Sequence, residues 1–151
     1  MRTNHAPAAG LAPVPQVSPG HRLVPATIGH LGLAPQVVWI ECPDWCVTDH
    51  VVDVQLAVED IIHTSRAESL AIATLESPSP AFDLHVQIKL DPATTDWHTR
   101  QAHIVVDEGG ELAFLTPDMA DALADRMVAF AAQVRQLSRT ARAHHQQEVA
   151  A

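Results

Sequence analysis

Leu84, Val86, Ile88 and Leu90 alternate with His85, Gln87 and Lys89, the two-residue period of a strand with one buried face. Ser77-Pro78-Ser79-Pro80 punctuates the chain before this run and Asp91-Pro92 after it. Upstream, Leu70, Ile72 and Thr74 share one face of a strand predicted from Ser69 to Leu75, and Val37 to Glu41 predicts a shorter one. Downstream, Ala102, Ile104 and Val106 alternate with His103 and Val105. Asp107-Glu108-Gly109-Gly110 then reads as a hairpin turn, because glycine reaches positive φ at little cost, and Glu111 to Leu115 returns as the partner strand. Val52, Val54, Leu56 and Val58 alternate as well. A hairpin at Glu59-Asp60 would set His63 opposite Leu56.

The period changes at Thr116-Pro117-Asp118, which reads as an N-cap, a first-turn proline and a first-turn acid. Leu123, Met127, Phe130, Val134 and Leu137 follow at alternating steps of four and three, one stripe of a helix. Asp118, Asp121 and Asp125 come early and Arg135, Arg139 and Arg142 late, the order that complements a helix macrodipole. The stripe is expected to pack on the sheet; a homodimer seam is its other use. The fold class predicted is α+β: an antiparallel sheet of four to six strands, one long C-terminal helix on one face, and a metal-knuckle turn at the N-terminal edge.

Composition divides the chain. Residues 1–35 hold six of the 11 prolines and four of the six glycines, with a charge of +2. So interrupted a segment has little to repay its ordering entropy, and it is expected to be a disordered leader. The domain is then expected over 36–140, with the knuckle at 42–63 and a frayed tail over 141–151. Residues 36–115 carry −11 and residues 116–151 carry zero, which together with the leader make the net −9. No run reaches the ~18 apolar residues of a membrane helix. No apolar export segment opens the chain, and two cysteines make no disulfide scaffold, so a cytoplasmic protein is expected.

The candidate chemistry lies in Glu41-Cys42-Pro43-Asp44-Trp45-Cys46-Val47-Thr48-Asp49-His50, with His63 following. Cys42, Cys46 and His50 are four apart; if Pro43 opens a short helix, they fall near one face. Two thiolates and an imidazole suit zinc, which takes four tetrahedral ligands in structural sites. His63 is the next Cys or His and the candidate fourth ligand; a strand over 52–58 would carry it away from His50, leaving Asp49, Asp53, His103 or water instead. The competing readings are buried small thiols, a Cys42–Cys46 disulfide and ordinary surface histidines among the 10 in the chain. Trp45, between the cysteines, would shield the knuckle from water, with Glu41, Asp44 and Asp49 as further partners.

Cys42-Pro43-Asp44-Trp45-Cys46, His50 and His63-Thr64-Ser65, together with the helix opening Leu115-Thr116-Pro117, resemble an uncharacterised family of small actinobacterial proteins. Its signature is C-P-x-W-C-x3-H, and the resemblance runs over about residues 36–137. It implies a metal-binding α+β domain and no activity.

The motifs of zinc deaminases and metalloproteases, H-x-E with P-C-x-x-C and H-E-x-x-H, are missing, as are a nucleophile elbow and a phosphate loop. No enzyme is therefore expected. A thiol-based redox or hydrolytic enzyme stays as one alternative. The other is a nucleic-acid-associated regulator using the basic end of the last helix, although −11 around the knuckle repels phosphate. The reading reached is a small zinc-binding accessory or regulatory protein with a structural Zn2+ and a protein partner, bound to neither nucleic acid nor membrane.

Overall fold

In a computed structural model of the chain, residues 16–29, 32, 34–76 and 80–150 are described, the side chains of 80–82 and 147–150 excepted. The fold is α+β. Strands β1 (His21–Ile28) and β2 (Gln36–Pro43) form an antiparallel hairpin, with His21 opposite Pro43 and Ile28 opposite Gln36. The Pro/Gly content of 1–35 predicts a leader, yet residues 21–28 form β1; residues 1–15 lie outside those described. The prolines act here as punctuation. Ser18-Pro19-Gly20-His21 closes a turn, with His21 N donating to Ser18 O at 3.1 Å and Gly20 at φ +74°, where glycine is favoured. Pro25 sits within β1 at no cost to the hairpin. Thr27 and Gly29 donate away from β2, to His50 O and Gln55 O, and alternation turns the missing N–H of Pro25 to that same edge.

The second sheet has five antiparallel strands. β5 (Pro80–Leu90) pairs on one side with β6 (His103–Asp107), which pairs in turn with β7 (Leu112–Leu115). Its other side receives β3 (His63–Thr64) and β4 (Glu68–Ala73) end to end, with His63 opposite Leu90 and Glu68 opposite Val86. β4 to β7 stand where alternation predicts strands, although in β6 it is His103 and Val105 that are buried, with Ile104 and Val106 only half-buried; Gly109 turns β6 into β7 at φ +86°. A four-residue helix, α1 (Trp97–Arg100), capped by Asp96, joins β5 to β6.

Residues 52–58 are not a strand. Asp49 accepts from Val51 N and Val52 N through Oδ1 at 3.0 and 3.3 Å, turning the chain so that Gln55 runs beside Ile28 of β1. A 3-10 turn over Val58–Asp60 then leads into β3. The alternating valines therefore stand exposed on a folded-back loop.

The C-terminal helix, α2 (Pro117–Ala150), starts where Thr116-Pro117-Asp118 predicts and continues through the segment expected to fray. It does not lie across the sheet. None of its described side chains is buried, and Phe130 and Leu137 are 65% and 69% exposed. Thirty-four residues make a rod of about 51 Å, far longer than the width of this sheet, which is four strands across at ~4.8 Å spacing because β3 and β4 lie end to end. Among the described residues no helix is long and apolar enough to cross a membrane.

Among the described residues the buried apolar side chains are few: Ala26, Cys42, Cys46, Ile61, Leu84 and Val105. Four of these belong to the hairpin and the loop after it, where Thr27, His50 and His63 are buried beside them. In that half of the molecule buried thiols and imidazoles thus outnumber the buried aliphatic side chains, Ala26 and Ile61.

Candidate metal centre

Three separate elements supply the four side chains. Cys42 is the penultimate residue of β2, Cys46 and His50 follow in the turns after it, and His63 opens β3 on the edge of the second sheet. No helix brings the first three together, contrary to the spacing argument. Pro43 O instead accepts from Cys46 N at 3.0 Å, and this tight turn points both thiols to one side. The fold-back of 51–62 then returns His63 to His50, with ring centroids 5.1 Å apart and planes at 83°. Val47 N donates to Thr64 O at 2.9 Å and holds the two segments in register.

One ligand atom from each of Cys42, Cys46, His50 and His63 lies within 4.8 Å of all the others, and all four residues are buried. Both sulfurs approach the same nitrogen: Cys42 Sγ is 3.7 Å and Cys46 Sγ 3.6 Å from His50 Nε2. One imidazole nitrogen offers one lone pair or one proton, so hydrogen bonding accounts for one of these contacts at a time. His50 Nδ1 and His63 Nδ1 are buried with no hydrogen-bond partner, which is costly for polar atoms out of water. Such a set lacks an internal partner scheme and could hold a metal ion. The four ligand candidates read from spacing are thus the four that meet. His103 is elsewhere, in β6, with its Nδ1 2.9 Å from Gln101 O and its ring against Phe114. Asp49 is engaged by its own turn.

Burial disfavours the charged forms of Cys42, His50 and His63. Burial pushes the Cys42 thiol up to about 11, aided by its hydrogen bond to Cys46 and that neighbour's charge and by Asp44, and opposed by Arg22. Burial also lowers His50, against the pull of Asp53 and Asp49. His63 falls to about 4 through burial, then the charges of His50 and His21. Neutral imidazoles are ready ligands, whereas the Cys42 thiol must give up its proton.

Sequence reasoning missed Arg22, which lies in the segment expected to be a leader. From β1 its Nη1 donates to Asp44 O at 2.8 Å and to Pro43 O at 3.4 Å, and its Nη2 to Cys46 O at 2.8 Å. Its guanidinium also lies 3.9 Å from the Asp44 carboxylate. The fork of donors spans the turn between the two cysteines. The signal in the sequence was Pro19-Gly20 followed by Leu23-Val24 and Thr27-Ile28, a turn and then strand formers. Trp45 is half-buried in the same turn, while Trp39 on β2 is 68% exposed.

A family model described as a domain of unknown function (DUF6907) matches residues 25–143. No curated protein and no solved structure matches the chain.

Proposed function

We propose that this chain, which belongs to that family of unknown function, is a small interaction domain in which Cys42, Cys46, His50 and His63 bind one zinc ion as a structural cross-link. The observation that carries the reading is the convergence of four buried donors within 4.8 Å. Zinc–sulfur bonds of ~2.3 Å and zinc–nitrogen bonds of ~2.0–2.1 Å give a tetrahedron whose sulfur–nitrogen edge is about 3.6 Å. The two sulfur–nitrogen separations at His50 are 3.6 and 3.7 Å. Four protein donors fill a tetrahedral zinc and leave no position for water or substrate, which favours a structural ion over a catalytic one. The placement suits that role. Cys42 belongs to the hairpin and His63 to the five-stranded sheet, so the ion would tie the two sheets together where few aliphatic side chains do so.

Support for an interaction role comes from the surface beside the centre. Val47, Val52, Val54, Leu56 and Val58 are exposed on the loop, among Asp49, Asp53, Glu59 and Asp60. Exposed apolar side chains gathered on one loop mark contact surfaces, and the acids around them favour a basic protein partner over nucleic acid. Cobalt substitution tests the ligand set. Two thiolates and two imidazoles predict the intense visible bands of tetrahedral cobalt together with thiolate charge-transfer absorption. Weak octahedral bands would contradict the assignment.

A further inference from the structure

Outside the candidate metal centre, α1, the ends of β6 and β7 and the first turn of α2 enclose a cavity of about 620 Å³, the size of a small-molecule site. Val105 pairs with Phe114 across β6 and β7, so Phe114 and His103, two residues before Val105, stand on one face of the sheet. Trp97 and His98 of α1 and Pro117 and Met119 of α2 complete the wall. That wall is mainly apolar, and Trp97, Phe114 and Met119 are exposed in it. Trp97 lies on His98 with ring centroids 3.6 Å apart and planes at 32°, and Phe114 lies 5.7 Å from the His103 ring at 48°. Flat aromatic surfaces of this kind reward a flat aromatic guest.

Polar groups narrow the class. Of the polar side chains in the wall, His103 alone is buried. Its Nδ1 is 2.9 Å from Gln101 O, and a carbonyl only accepts, so Nδ1 carries the proton and Nε2 of the neutral ring is an acceptor. Nε2 has no partner among the described residues. It is not sealed from solvent as the Nδ1 atoms of His50 and His63 are, and the open space against His103 is this cavity. Other polar groups of the wall are engaged locally: Asp96 accepts from His98 N at 3.0 Å and Thr116 Oγ1 from Met119 N at 3.3 Å. One acceptor, fixed in place by its own ring partner, asks for a guest with one O–H or N–H. The Asp96 carboxylate in the wall and the net charge of −9 oppose an anion.

We propose that this cavity binds a flat aromatic molecule that carries one hydrogen-bond donor and no negative charge, with His103 Nε2 accepting the bond and Trp97 and Phe114 supplying the aromatic contact. The site goes beyond the zinc reading and does not rest on it.

Amide NMR titration of the isotope-labelled full chain with naphthol, its methyl ether and naphthoate, near neutral pH, tests the proposal. Naphthol is expected to shift the amides of Trp97, Gln101, Ala102 and Phe114 saturably, with a dissociation constant on the order of 0.1 mM. The ether keeps the ring and lacks the donor, so it should bind about five- to tenfold more weakly, and naphthoate more weakly than naphthol. His103→Phe keeps a ring against Phe114 and removes the acceptor, so the preference for naphthol over the ether should vanish. Trp97→Ala, at an exposed position, should weaken both naphthol and the ether with the fold intact. No saturable shift with naphthol, shifts centred away from these amides, equal binding of naphthol and the ether, tighter binding of naphthoate, or affinities unmoved by both substitutions would overturn the proposal.

Discussion

The guanidinium of Arg22 donates to the carbonyl of Cys46 at 2.8 Å, so a side chain on β1 sets the backbone that carries a thiol of the candidate metal centre. With Asp44 O also at 2.8 Å, the fork holds the Cys42–Cys46 turn from outside the cluster. Groups that orient ligands typically contribute ten- to hundredfold to metal affinity. Arg22→Ala is therefore expected to weaken zinc binding by roughly that factor, and Arg22→Lys, which lacks the planar fork, to restore little of it. Competition against a chromophoric chelator measures this. Unchanged affinity in Arg22→Ala would contradict the positioning role.

Removing the metal should cost far more stability than a surface contact does. The cluster makes up most of the buried core of the hairpin half, and metal binding in such domains is coupled to folding. A loss of roughly 3 kcal/mol would lower the melting temperature by about 6–12 °C in a chain of 151 residues. Thermal unfolding with and without chelator checks it, and coincident curves would count against a structural ion.

The two buried histidines of the sheets separate the ligand from its neighbour. His63→Ala should abolish tight zinc binding, whereas His103→Ala should keep one zinc per chain and lose stability only through its contact with Phe114 and its hydrogen bond to Gln101. The reverse pattern would move the fourth ligand to β6.

The metal-free protein should weaken in mild acid. Its His63 titrates near 4 instead of 6.5, because burial and the neighbouring His50 and His21 oppose its charge. Below pH 6.5 the unfolded chain takes up a proton that the folded chain refuses, so stability falls as pH drops and levels off near pH 4. The whole window amounts to at most about 3 kcal/mol, steepest at ~1.4 kcal/mol per pH unit. Urea unfolding of chelated protein at pH 7 and pH 5 reads this directly. Equal midpoints would show that His63 is not held neutral.

Much of this architecture is legible in the sequence because it rests on local rules. Strands β2 and β4 to β7 stand where the sequence predicts strands, though β6 buries His103 and Val105 instead of the face with Ile104 and Val106, and α2 begins at an N-cap Thr followed by Pro. The four residues that cluster were found from residue type and closeness along the chain, although the helix invoked to align them is a strand end and a turn. What escaped depends on partners distant in sequence. Val52, Val54, Leu56 and Val58 alternate like a strand, but Asp49 turns the chain and β1 holds Gln55, so the loop doubles back. β1 itself was hidden by prolines that serve as turn and edge residues, and Arg22 was hidden with it. The stripe on α2 is real, but periodicity says that a face is apolar and not what it meets.

The central claim is one zinc ion held by Cys42, Cys46, His50 and His63. Native mass spectrometry with elemental analysis on the full untagged chain tests it most directly. The account predicts one zinc per chain, lost in Cys42→Ala, Cys46→Ala, His50→Ala and His63→Ala alike. A chain that carries no metal, takes up none from a zinc-supplemented buffer and is equally stable in chelator would contradict it.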